Sequence, residues 1–398
     1  MARIGDKRTV QVIGRGMGYV SKLLLIHFDW TSVETFTRHL PECAVVKITI
    51  DPPELKPPTT PPSPNDPMIL FEQMMHDTEL FFYENSIDPT KIPADLKIPK
   101  FYCGRKYGVE EVDAGYIALE YIRNTVDRHF YHNIPRNGVI DALDELVKLA
   151  VFSVKSPDSL KIWPKSCHSL MSNVLAYCKF YDPNLEERLR RVMERFPELV
   201  PELATIIEYL PRNFLDFQNF LRLQRSTCTK PMLCQGDIWS PNILWIRDEN
   251  DDYRVGGIID WQIAQIGSPL EDLVFLFHSC LSADEYEKNT NNYLEYYFEQ
   301  LQKSTKFHEL PWGNLDELIK SYEIAYAYMI PVLLPLTVLL VDFEKTCSEN
   351  VIEQCIDTWR TKRAPTGQQV TPPISSIAFI VSDGQGTPGI KAENDVRL

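Results

Sequence analysis

The sequence predicts an α+β chain in two lobes of unequal size, a small β-rich one followed by a large, mostly helical one. Three observations predict it. Before residue 51 the apolar residues fall in alternating or β-branched runs, Thr9 to Ile13, Ser21 to Phe28 and Ala44 to Ile50, which is the pattern of strands. From Asn137, the expected N-cap, Leu143, Leu146, Val147 and Ala150 recur at the spacing of one helix face. A compact strand–loop–strand block, Met232 to Trp261, then interrupts the helices before they resume to about Lys362. Hydrophobic residues make up 44% of the 398 positions, enough for a real core, which excludes disorder throughout.

Taken in order, a Gly-rich turn separates the first two strands. DPPELKPPTTPPSPNDP follows the third and places eight prolines between Pro52 and Pro67. That density forbids a helix or a central strand, so 52–67 is an exposed loop. It contains PxxP spacings of the kind proline-reading domains bind, although a plain spacer accounts for it. Met68 to Asn85 reads as a helix, Tyr116 to Ile122 as an apolar strand, and further helices run to about Phe220. Ile324 to Val341 holds 18 residues without a charge, just enough to span a membrane. Pro331, Pro335, Tyr326 and Tyr328 lie within it, and Glu323, Asp342 and Glu344 border it in place of basic anchors. It is read as a kinked helix buried in the large lobe, not a membrane span. From Arg363 the chain is rich in Pro, Gly and polar residues, a loosely docked tail apart from Ile377 to Val381. The expected divisions are 1–122, 123–362 and 363–398.

Charge and cysteine usage narrow the function. The net charge is −14, so binding nucleic acid would need a local basic cluster. The densest one, Arg188, Arg190, Arg191 and Arg195, is interleaved with Glu186, Glu187 and Glu194. Its i,i+4 pairs mark a solvated helix face instead. Nine scattered cysteines, never spaced as CxxC, exclude a disulfide scaffold or a zinc module. No signal-peptide pattern opens the chain, and a cytoplasmic, reducing setting is expected. The eight histidines form no HExxH.

The residues that carry chemistry lie in CQGDIWSPNILW, Cys234 to Trp245, and GIIDWQ, Gly257 to Gln262. Asp237 and Asn242 are spaced as D-x-x-x-x-N, and Asp260 follows the apolar strand Gly257–Ile259. Phosphoryl transfer calls for such a set: one carboxylate to take or orient a hydroxyl proton, and an amide oxygen with a second carboxylate to hold magnesium. A turn-forming Asp and Asn is the plain alternative, and D-x-x-x-x-N alone is common. Two other segments supply what the same chemistry requires. GRGMGYVS, Gly14 to Ser21, has glycines at 14, 16 and 18 that let backbone approach phosphates, though a simple β-turn would look the same. Lys47 is the single charge in the strand AVVKI and needs an anionic partner if it faces inward. Glu79 in HDTELFFYE, flanked by Leu80, Phe81 and Tyr83, is the preferred carboxylate for it, ahead of Glu84.

This order of Gly-loop, strand Lys, helix Glu, strand ending in Glu120-Tyr121, D-x-x-x-x-N and strand-Asp resembles the kinase-like superfamily that includes choline kinases and aminoglycoside phosphotransferases. QGDIWSPNILW, IIDWQ and GSPLEDL, with GYVSKLLLIHFDWT, LPECAVVKI and ELFFYE, are most similar to its ecdysteroid-kinase-like (CHK kinase-like) group, nematode branch. The resemblance covers roughly residues 10 to 360. It implies a bilobal protein-kinase-like fold and an ATP- and Mg2+-dependent transfer of phosphate to a small-molecule alcohol, steroid-like or choline-like. On that basis Asp237 is the catalytic base, Asn242 and Asp260 are the magnesium ligands, and Lys47 contacts the α and β phosphates. Gly14, Gly16 and Gly18 would cover the phosphates, Glu120, Tyr121 and Ile122 would hold adenine, and Asp272 would be structural. One departure stands out: Gln235 occupies the place where the family usually has a His that braces the loop. It supports the alternative of a kinase-fold scaffold without turnover. The landmarks of protein kinases, H-R-D, D-F-G and A-P-E, are missing. Nothing in the sequence bears on oligomeric state.

Overall fold

Strand pairing organises the first part of the chain. The computed structural model describes residues 2–13, 21–32, 40–50, 67–107, 114–128, 132–164, 190, 194, 217–306 and 309–341. Five strands form one antiparallel sheet in the order β2-β3-β5-β7-β6: β2 (Thr9–Ile13), β3 (Ser21–His27), β5 (Cys43–Ile50), β7 (Ala114–Glu120) and β6 (Phe101–Arg105). Two short strands, β1 (Ala2–Ile4) and β4 (Trp30–Ser32), pair separately. Helix α1 (Pro67–Ser86) crosses this sheet. His76 pins it there, with Nδ1 against Thr49 Oγ1 at 3.0 Å and Nε2 against the Arg105 carbonyl at 2.8 Å.

The second part is built around helices. In α2 (Arg136–Lys155) the buried residues Val139, Leu143, Leu146 and Ala150 give the face its period predicts. Helix α4 (Pro269–Cys280) is buried along almost its whole length, packed against α2 and α6 (Leu315–Val341). Helix α3 (Phe217–Thr227) also packs on α6, and α5 (Ala283–Ser304) lies against α2. Two small antiparallel ladders are set among them. β10 (Ile243–Arg247) pairs with β11 (Tyr253–Ile258) and with β8 (Thr125–Val126), while β9 (Met232–Cys234) pairs with β12 (Gln265–Gly267). The molecule is therefore α+β, with a small β-rich N-terminal lobe and a larger helical one.

Several expectations need adjusting. The N-cap of α2 is Pro135, not Asn137: its backbone at φ −56° and ψ 153° ends the extended segment there, which places Asn137 inside the first turn. The strand expected over Tyr116 to Ile122 stops at Glu120, and the one expected to reach Ile259 stops at Ile258. Ile324 to Val341 lies within the single helix α6, where Ala325, Met329 and Leu333 are buried at i, i+4, i+8 spacing. Among the described residues no helix is long and apolar enough to cross a membrane. The side chains of 330–332 and 334–341 are outside those described. So are Gly14, Gly16 and Gly18, the Pro-rich 52–66, most of 165–216, and everything after 341, including the tail.

Candidate active site

The two small ladders create the site. β9 pairs with β12 and β10 with β11, in the registers Cys234↔Gln265 and Ile243↔Ile258. The loop from β9 to β10 (235–242) and the turn from β11 to β12 (259–264) must therefore cross the same gap side by side. The contact is closed by backbone, since Ile259 N–H donates to the Asn242 carbonyl at 2.9 Å. Asp237, Asn242 and Asp260, separate in sequence, are brought together by this pairing.

The loop is internally hooked. Asn242 Nδ2 donates both to the Asp237 carbonyl at 2.9 Å and to Asp237 Oδ2 at 3.0 Å. That fixes the Asp237 carboxylate and leaves the amide oxygen of Asn242 as an acceptor. Burial first, and the negative charge of Asp260 second, push the Asp237 carboxyl well above its ordinary value, the direction that favours proton uptake. Gly236 has φ +87°, and a side chain there would run into the Ile263 carbonyl. Asp272, at the start of α4, accepts the N–H groups of Gln235 and Gly236, each at 2.8 Å, so its expected structural role is its observed one. Burial raises its pKa to about 7.

Helix α1 delivers the opposing carboxylate. Phe71, Met75, Glu79 and Phe82 follow i, i+4, i+8, i+11 and so share one face. Phe71 and Met75 pack on Ile263, and Phe82 stacks on Trp261. The face that carries Glu79 is therefore docked on the turn that follows Asp260. Lys47 of β5 stands between them: Nζ donates to Glu79 Oε2 at 2.6 Å and to Asp260 Oδ1 at 2.5 Å. Burial works to lower the Lys47 pKa, but Asp260 and then Glu79 outweigh it, and the net shift is upward. Glu79 is 2% exposed, whereas Glu84 is exposed on the outer face.

Asp260 has a left-handed backbone, φ 59° and ψ 60°, uncommon for a residue with a Cβ. Together with the Asn242 amide oxygen, its partly exposed carboxylate offers hard oxygen donors, a set that suits magnesium, which takes few protein ligands. Among the described residues no group of three or more His, Cys, Asp or Glu is placed to hold a metal ion, and a cation held by one carboxylate and one amide does not need one.

At the other end, Glu120 turns toward the preceding strand. Lys100 N–H donates to its Oε2 at 3.3 Å, and Glu120 N–H donates to the Lys100 carbonyl at 2.9 Å. Tyr121 and Ile122 follow outside the strand, with Ile122 beside Gly257, where an added Cβ would sit 2.6 Å from its Cδ1. Thus Lys47, Glu79, Asp237, Asn242 and Asp260 converge, Ile122 of the 120–122 segment lies against β11, and the three glycines fall outside the described residues. One contributor has no counterpart in the sequence analysis, the ring pair Phe82–Trp261; Gln235 stands out there as the residue in place of a bracing His, and the structure adds its partners, the Asp237 N–H and the Ile259 and Asp260 carbonyls. The ring pair had a signal, since Phe82 lies one turn past Glu79.

The family model described as DUF1679, uncharacterized oxidoreductase dhs-27, matches residues 1–365. The chain belongs to the DUF1679 family. This DUF1679 chain is 23% identical over 330 residues to the uncharacterized oxidoreductase dhs-27 of Caenorhabditis elegans, covering 79% of the chain and 38% of that relative. It thus spans 38% of the length of the curated relative it matches. Among solved structures it is similar to a choline kinase from Cryptosporidium parvum Iowa II, with TM-score 0.49, 10% identity, and 95% and 91% of the two chains covered. It is also similar to the GDP complex of wild-type aminoglycoside 2'-phosphotransferase-IIIa, with TM-score 0.43, 14% identity, and 90% and 93% covered. A Plasmodium vivax ethanolamine kinase gives TM-score 0.42, 11% identity, and 90% and 82% covered. For this DUF1679 chain the fold assignment rests on its own topology.

Proposed function

We propose that this chain is an ATP- and magnesium-dependent phosphotransferase acting on a hydroxyl of a small molecule, of the ecdysteroid-kinase-like kind. One observation carries the reading: a strand lysine clamped between a helix glutamate and the aspartate that follows β11, beside an aspartate hooked to an asparagine. Lys47, held by Glu79, would contact the α and β phosphates, and Gly14, Gly16 and Gly18 would cover them. Glu120, Tyr121 and Ile122 would hold adenine. Asn242 and Asp260 would hold magnesium, which supplies charge neutralisation across the phosphates. Asp237 takes the acceptor hydroxyl's proton as that oxygen bonds to the γ-phosphorus, and ADP departs. The acceptor is a steroid-like or choline-like alcohol. The small lobe would be 1–122, the large lobe 123–362 and the tail 363–398, in a cytoplasmic setting.

The relative's name raises a dinucleotide-dependent oxidoreductase instead. Dinucleotide sites of the doubly wound type need parallel strands and a Gly-rich turn leading from strand into helix. Every strand pair among the described residues is antiparallel, and the Gly14–Gly18 run joins β2 to its antiparallel neighbour β3. The phosphotransferase reading is the better supported of the two.

Thermal melting with and without magnesium–ATP tests it, on the natural chain and on Asp260→Ala. Ligand at a hundred times its dissociation constant stabilises by about 2.7 kcal/mol. A magnesium-dependent rise that Asp260→Ala abolishes is the expected result. A flat response from well-folded protein would overturn the reading and leave the scaffold alternative; a rise with a nicotinamide dinucleotide alone would favour the oxidoreductase.

A further inference from the structure

We propose that Gln235 is a positioning residue for the cation end of the site: its carboxamide holds Asp260 in its left-handed conformation and ties that conformation to Asp237. The inference rests on the phosphotransferase reading and deepens it. Gln235 is fully buried. Its Oε1 accepts the Asp237 N–H at 2.7 Å, while Nε2 donates to the carbonyls of Ile259 at 3.0 Å and Asp260 at 2.9 Å. The orientation of the amide follows from its partners, because the reverse would set Oε1 against two carbonyls and the NH2 group against an N–H.

Three simultaneous bonds explain the residue type. The position needs one acceptor and two donors on a single flat, neutral group, and a carboxamide has that set. A neutral imidazole has one donor and one acceptor, so a histidine here would leave one of the two carbonyls unanswered. The bond to the Asp260 carbonyl matters most, since a left-handed non-glycine backbone persists only where its surroundings hold it. That backbone aims the carboxylate at Lys47. The main-chain N–H of Gln235 is itself anchored on Asp272, so the strut stands on α4. Gln235 in place of the family's usual His is thus a brace with more bonds, not a sign of a decayed site.

The test uses the full chain and two variants, Gln235→Leu and Gln235→His, with nucleotide affinity measured in magnesium and again in EDTA. Gln235→Leu should weaken magnesium–ATP binding about tenfold or more while changing binding in EDTA less than about twofold, with Gln235→His between it and the natural chain. In the ligand-free chain, hydrogen exchange should rise in 259–262 and stay unchanged in β10. Equal weakening with and without magnesium would mark a merely structural role and overturn the inference, as would no change in either. If Gln235→Leu fails to fold, the same comparison on Gln235→His decides. If the natural chain ignores magnesium–ATP, the phosphotransferase reading falls and takes this inference with it. If it binds and the variants show no magnesium selectivity, this inference alone falls.

Discussion

Trp261 lies flat on Phe82, with ring centroids 3.7 Å apart and planes within 6°. One ring follows Asp260 directly and the other lies three residues beyond Glu79. The stack, beside the packing of Phe71 and Met75 on Ile263, is therefore an apolar link between the two carboxylates that Lys47 joins. Both rings are fully buried, and the Trp261 indole N–H donates to the Ile258 carbonyl at 3.1 Å.

Phe82→Leu keeps the site apolar but removes the flat contact. It should cost about 1–2 kcal/mol of stability in urea unfolding. It should also reduce the melting rise with magnesium–ATP by more than a similar core truncation far from the turn, such as Leu143→Val. Equal ligand responses in the two variants would contradict the link.

Lys47→Met leaves Glu79 buried without its cation. Breaking a buried pair from one side destabilises by roughly 3–5 kcal/mol. Adding Glu79→Gln should restore most of that loss while nucleotide binding stays absent. Chemical unfolding of the single and double variants checks this; a single variant as stable as the natural chain would show that Glu79 is satisfied in some other way.

Two glycines should rank sharply. Gly236→Ala forces a Cβ into positive-φ backbone against the Ile263 carbonyl, with a cost of roughly 1–3 kcal/mol from the backbone alone. Gly257→Ala crowds the far end of Ile122, which can rotate away, and meets Pro99 only at ordinary contact distance, so it should unfold nearly like the natural chain and weaken nucleotide binding modestly. The reverse ranking in melting would refute the loop geometry.

Glu271 makes stability depend on pH. Fully buried, it accepts from Tyr328 Oη at 2.7 Å, Gln224 Nε2 at 2.8 Å and Gln265 Nε2 at 2.9 Å. Burial raises its pKa from 4.5 to about 7 against the pull of those donors. The unfolded chain therefore releases this proton near pH 4.5 and the folded one near 7. The resulting stability is fully present below the lower value and lost as pH rises through the higher, on the order of 3 kcal/mol. Unfolding across that range should show the advantage of the natural chain over Glu271→Gln shrinking as pH rises. A constant gap would count against the shift.

Charged residues in apolar surroundings made much of the site legible in the sequence. Lys47 inside AVVKI and Asp260 after GII stood out because burial demands partners, and Glu79 was preferred to Glu84 on its flanking core residues. What stayed hidden depends on partners remote in sequence. The strand Phe101–Arg105 contains exposed positions and a glycine, and it is a strand because β7 lies beside it. The start of α2 looked like Asn137 because a side-chain cap was expected, whereas a proline backbone does the work. Gln235 is legible as a replacement for a bracing His, but its three partners are set by the pairing of loops remote in sequence.

Lys47 and Asp260 are 213 residues apart along the chain, and Lys47 and Glu79 are 32 apart. Closing so long a loop is entropically unfavourable until both ends have folded surfaces to present. The central ion pair should therefore form late in folding: the five-stranded sheet can pair through β5 and β7 before it exists, and the ladders of the second lobe can pair without it. A refolding chain should regain its near-native circular dichroism before it can bind a nucleotide. Neither lobe expressed alone should bind one, since each holds only one side of the Lys47–Asp260 bond.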